Sequence, residues 1–170
     1  MKGTRWVGVV AVIVLFLGCG KSKLAPFLPD APDGWSAEGS ATNKDVSGVG
    51  HSSMRSYVPS GSAGSLGVQR VTVQILQGEK DVDQKKLQEM AGPRKFEFKE
   101  SKQVGGFPAF ESFPLPDNDT HSLDIIPKKG TYVLITAYKG GAGWGKSENR
   151  QAAVSAFAGK VDLKKLAALE

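Results

Sequence analysis

The stretch TYVLITAY, Thr131–Tyr138, is the strongest strand signal in the chain and is apolar at odd and even positions alike. A strand with no face to give to water belongs in the middle of a sheet. Its surroundings supply the neighbours. Ser122–Ile126 reads as a strand, and Lys128-Lys129-Gly130 turns the chain back into Thr131. Further upstream, Lys95–Lys102 sets Phe96 and Phe98 against Lys95, Glu97 and Lys99. Gly105-Gly106-Phe107-Pro108 then makes a turn and Ala109–Phe113 returns, the pattern of a hairpin.

Two further strands precede these. Gln69–Ile75 alternates apolar and polar residues, so Val71, Val73 and Ile75 should face a core, and Ser52–Val58 carries β-propensity at Tyr57 and Val58. Ser36–Gly50, rich in Gly, Ser, Asn and Asp, reads as turns around a short or irregular strand. Three helical stretches are expected. Asp81 and Gln84 form a capping-box pattern ahead of Leu87, Met90 and Ala91, with Gly92-Pro93 as the stop. Glu148–Ala158 turns Val154 and Phe157 inward and stops at Gly159. Asp162 caps a last turn or two that places Leu163, Leu166 and Leu169 on one side.

Strands, helix, antiparallel strands and helix, with links suited to hairpins, make an α+β domain: an antiparallel sheet of about six strands flanked by helices over residues 35–170. The element order over Trp35–Leu169, with its closing Val161-Asp162-Leu163-x-x-Leu166, resembles the PsbP-like fold found in several bacterial lipoproteins. That resemblance implies an accessory or binding role by analogy.

The N terminus gives an address. Lys2 and Arg5 precede the apolar run Trp6–Leu17, and Gly18 stands before Cys19, matching the regions of a secretory leader over residues 1–18. A spanning helix needs about 20 apolar residues, and this run is shorter. Phe16-Leu17-Gly18-Cys19 resembles a bacterial lipobox, departing from it in having Phe16 three residues before the cysteine. The resemblance implies lipidation of Cys19 as the new N-terminal residue. Cys19 is the only cysteine, which suits a modification site rather than a disulfide framework. The alternatives are an uncleaved anchor, or secretion with a spare thiol. Gly20 follows where an inner-membrane retention residue such as Asp would stand, so the resemblance implies the outer membrane, facing the periplasm. Residues 19–34, with Pro26, Pro29 and Pro32, read as a tether, though Leu24, Phe27, Leu28 and Trp35 can instead dock on the domain. The folded part is expected to begin near Trp35.

Net charge is +5, two units of it from Lys2 and Arg5 in the leader, and the rest is interspersed. With no basic block, nucleic acid is not an expected partner. The expected partners are a membrane, through the N-terminal lipid, and an envelope protein. No cofactor is expected.

Gly140-Gly-Ala-Gly-Trp144-Gly145-Lys146-Ser147 satisfies G-x-x-x-x-G-K-S after a strand and before a helix. Glycines let N–H groups wrap phosphates, the lysine reaches the outer phosphates, and the serine faces Mg²⁺. Too little chain follows Ser147 for the parallel strands and metal-binding Asp that nucleotide hydrolysis uses. The loop therefore reads as a strand-to-helix link with Ser147 as N-cap, or as an anion or lipid-headgroup contact at the helix start. Trp144, hard to bury in so glycine-rich a loop, is the best single contact residue.

Asp117-Asn118-Asp119 lacks the Gly and distal Glu of a calcium loop. His51 and His121 lie far apart in polar stretches and read as surface residues. Glu97, Glu100 and Glu111 on hairpin strands read as solvated, and Tyr132 and Tyr138 read as core. The expected function is a lipid-anchored, exported, non-enzymatic binding or accessory module. The alternative is a small-ligand or anion-binding protein using residues 140–147, and an enzyme ranks last.

Overall fold

The structure, a computed structural model, describes residues 23–60, 67–79, 97–113, 120–140 and 147–170. The expected leader, the lipobox and the helix read from Asp81 to Ala91 lie outside the described residues. What is described is one antiparallel sheet of seven strands: β1 (Trp35–Val46), β2 (Gly50–Pro59), β3 (Val68–Gly78), β4 (Glu97–Val104), β5 (Phe107–Phe113), β6 (Thr120–Lys128) and β7 (Thr131–Lys139). Their order is β1-β2-β3-β7-β6-β5-β4. Two meanders, β1 to β3 and β4 to β7, thus run inward from opposite edges and meet where β3 pairs with β7. TYVLITAY is the fourth strand of seven, and six of its first seven residues are buried.

The count exceeds the expected six because β1 runs as a full strand of twelve residues. Its polar composition hides no apolar alternation, since as an edge strand it is exposed along almost its whole length. A register shift between Glu38 and Thr42, at Gly39, interrupts its ladder to β2. Such an irregularity is one way an edge is protected from pairing with another chain. At the opposite edge, β4 and β5 are joined by Gly105 and Gly106, both at positive φ (58° and 87°). A two-residue hairpin turn of matching twist requires that conformation, which glycine adopts without steric cost.

Two described helices, α1 (Ser147–Ala158) and α2 (Leu163–Ala167), pack on the same face of the sheet. α1 lies on β7, β6 and β3, and α2 on β6. Ala153, Val154, Phe157 and Ala158 of α1 are buried, as are Leu163 and Leu166 of α2, against Val71, Val73, Ile75, Leu123, Ile125, Val133, Ile135 and Ala137. The Asp162 side chain accepts a hydrogen bond from the Lys165 N–H at 3.1 Å, the expected N-cap.

The remaining part of this face is covered by the N-terminal segment. Leu24 is fully buried and Leu28 nearly so, both within the same core. The Tyr57 hydroxyl donates to the Pro29 carbonyl at 2.6 Å. Leu24 and Leu28 thus dock on the domain, the second of the two readings of this segment. An apolar leucine pair at this spacing gains about 1.5–3 kcal/mol per side chain by burial, and the prolines lower the entropy lost on docking. Phe157 of α1 locks the junction, with its ring 5.3 Å from Trp35 and 4.6 Å from Tyr57.

Candidate functional site

Along β5 and β6 the alternation of side chains places Ala109 and Glu111, then His121, Leu123 and Ile125, toward the helix-covered face. In the register, Ala109 stands opposite Ile125, Glu111 opposite Leu123 and His121 opposite Ala137. Lys102 of β4 stands opposite Ala109. Three strands thereby bring a lysine, a glutamate and a histidine to one spot.

Lys102 Nζ donates to Glu111 Oε2 at 2.6 Å, and His121 Nε2 donates to Glu111 Oε1 at 2.8 Å. The His121 side chain has 0% exposure and that of Glu111 2%, whereas Lys102 keeps 30%. Burial alone would raise the Glu111 pKa. The hydrogen bonds and positive charge of Lys102 and His121 outweigh it and hold the carboxyl below its ordinary value. Glu111 is thus a carboxylate clamped between an ammonium and an imidazole, with only the ammonium reaching water.

Both His121 and Glu111 correct the expectation of solvated side chains. β6 starts at Thr120 rather than Ser122, which draws His121 into the inward alternation with Leu123 and Ile125. The Gly105-Gly106 turn fixes the β5 register so that Ala109 and Glu111 point in and Phe110 points out, 36% exposed. His51, by contrast, is exposed as expected and pairs with Asp45 at 2.8 Å.

The reverse face of the sheet carries a second arrangement that sequence reading missed. Ser112, Ser122, Thr136, Thr72 and Ser56 stand opposite one another in register, a row of hydroxyls across β5, β6, β7, β3 and β2. Ser122 Oγ donates to Thr136 Oγ1 at 3.0 Å. Beside the row, Leu76, Tyr132 and Leu134 form a small separate apolar cluster. Tyr132 is buried there as expected, but Tyr138, six residues further on the same face, is 37% exposed beside Arg70.

Of the residues expected to carry function, Cys19, Trp144, Gly145 and Lys146 lie outside the described residues. Ser147 is the first residue of α1, and its side chain is not among those described. Gly140, the first glycine of the nucleotide-like motif, has a packing role of its own. Its N–H donates to the Gly67 carbonyl at 2.9 Å, and a Cβ on it would stand 3.1 Å from the backbone N of Gln69. Close approach of β7's end to β3's start thus accounts for a glycine at this position.

Among the described residues no group of three His, Cys, Asp or Glu side chains is arranged to hold a metal ion, and no helix is long and apolar enough to cross a membrane. Comparison of the chain with family models, with curated proteins and with solved structures returned no match.

Proposed function

We propose that this chain is an exported, lipid-anchored binding or accessory module of the cell envelope, acting without catalysis and held at a membrane through Cys19. The observation that carries the reading is the leader: Lys2 and Arg5, the apolar run Trp6–Leu17, and Gly18 before the chain's single cysteine. The residue after it, Gly20, supports the outer membrane, facing the periplasm, as the destination.

The non-catalytic part of the reading draws on the ion cluster. Among the described residues Lys102, Glu111 and His121 form a cluster of types suited to acid–base work, yet the imidazole and the carboxylate are buried away from solvent. A general base has to come within hydrogen-bond reach of a substrate proton. The cluster instead ties β4, β5 and β6 together. The described residues are mostly β, a seven-stranded antiparallel sheet with two helices; the resemblance of element order to the PsbP-like fold implies an accessory or binding role by analogy.

Cys19→Ser tests the anchor. The variant should leave the membrane fraction, or stall with its leader uncleaved, because the acyl-accepting thiol is gone. A processed serine variant that fractionates fully with membranes contradicts the proposal.

A further inference from the structure

We infer that the connection from β3 to β4 packs across the reverse face of the sheet. The hydroxyl row and the Leu76–Tyr132–Leu134 cluster then meet this chain's own residues 80–96, not a ligand or a partner protein. The first observation is burial. Leu76, Tyr132 and Leu134 are 1%, 3% and 5% exposed, and Ser112 and Ser122 are each 1% exposed. The two described helices and the docked Leu24–Leu28 segment all lie on the other face. Large side chains standing out from a bare sheet keep much of their surface in water, so these have a cover.

The second observation is handedness, read from β3 itself. Four antiparallel pairings, through β7, β6 and β5, separate β3 from β4, so the two strands run parallel. Their link is therefore a crossover, and about 98% of such crossovers are right-handed. The Gly78 N–H donates to the Gly130 carbonyl on the β7 side, and the Glu79 N–H to the Val49 carbonyl on the β2 side. Alternation then turns the N–H and C=O of Thr72, Gln74 and Leu76, whose side chains belong to the reverse face, toward β7. For an L-residue with its side chain toward the viewer and its strand running upward, those groups point to the right. Seen from the reverse face, β4 thus lies to the right of β3. A link that leaves the top of β3, passes in front of the sheet and enters β4 from below is right-handed. Behind the sheet it would be left-handed.

The length of chain agrees. Four strand spacings set β4 about 19 Å from β3, and the register brings Glu97 level with Val71, about 23 Å back along β3 from Gly78. The straight distance is about 30 Å. With Asp81–Ala91 helical, as their capping pattern implies, residues 79–96 reach about 40 Å, enough to rise from the sheet, cross it and come down. The stripe Leu87, Met90 and Ala91 supplies the apolar surface that the small cluster lacks.

Photo-crosslinking in the full chain tests this. Replacing Ile126, which is partly buried beside the cluster, by p-benzoylphenylalanine should on irradiation capture the tryptic peptide Leu87–Arg94 of the same molecule. The reciprocal probe in place of Met90 should capture Gly130–Lys139, and it keeps the test decisive if the first variant does not fold. The same probe in place of Leu169, which packs on the covered face, should not capture Leu87–Arg94. Mixing isotopically light and heavy copies before irradiation reads whether a cross-link joins one chain or two. Failure of both reverse-face probes to give the intramolecular product, or capture of Leu87–Arg94 from position 169, overturns the proposal. A product carrying both isotopes assigns the face to a second copy and overturns it as well.

Discussion

The two faces of the sheet are built from alternate residues of the same strands, yet they follow different chemistry. On the helix-covered face, Val133, Ile135 and Ala137 of β7 meet Phe157, Val154 and Leu24, and one ion cluster is admitted at the β4–β6 side. On the reverse face, the intervening Thr136 joins a hydroxyl row, and among the described residues apolar contact shrinks to Leu76, Tyr132, Leu134 and partly Ile126. The difference teaches where stability is concentrated. One face is held by the non-directional burial of large side chains, the other largely by pairing of small polar groups, whose net contribution per bond is lower.

Phe157→Ala should cause the largest loss. The ring is fully buried and contacts both Trp35 and Tyr57, so its removal opens a cavity where the N-terminal segment, α1 and the sheet converge. A cost of about 3–5 kcal/mol is expected, measured from urea unfolding midpoints. A loss under about 1 kcal/mol would mean that the covered face is not the principal core.

Glu111→Gln probes the exception on that face. Removing the charge leaves Lys102 and His121 without their shared acceptor of negative charge, and breaking a buried ion pair from one side costs several kcal/mol. Lys102 can turn toward water, which lowers the expected loss to about 2 kcal/mol. The pH dependence has a definite sign. Because the folded-state pKa of Glu111 is depressed, its contribution is fully present above the ordinary carboxylate value of 4.5 and is lost as pH falls through the folded value. Wild type should therefore lose more stability between pH 7 and about pH 3 than Glu111→Gln does. Parallel pH profiles for the two proteins would show that the clamp contributes nothing.

The covered face was largely legible in the sequence and the reverse face was not. Val71, Val73 and Ile75 declare their facing by alternation, and TYVLITAY declares its central place by lacking any. Val154 and Phe157 likewise sit inward as their helical spacing implies. His121 and Glu111 were hidden because a polar residue in an inward position looks like one in solvent until the register is known, and that register depends on two glycines at a distant turn. β1 was hidden for a related reason, since an exposed edge strand needs no apolar period. The hydroxyl row has no local signal whatever, because its five residues come from five strands.

Thr136→Val is the smallest of these changes and the one that tests the reverse face on its own terms. Valine keeps the shape and the β-branching of threonine, so packing and strand propensity are nearly unchanged. What disappears is the acceptor for Ser122, whose residue is 1% exposed. Leaving that hydroxyl unsatisfied should cost about 1 kcal/mol. Ser122→Ala alone should cost about the same or less, since Thr136 is only partly buried and can turn to water. The double variant decides the matter. If the hydroxyls support each other, removing both leaves no orphan, and the double loss should fall short of the summed single losses by about 0.5–1 kcal/mol. Strict additivity would instead mean that the two side chains share a register without sharing energy, and that the reverse face, like the covered one, is held by its few apolar residues.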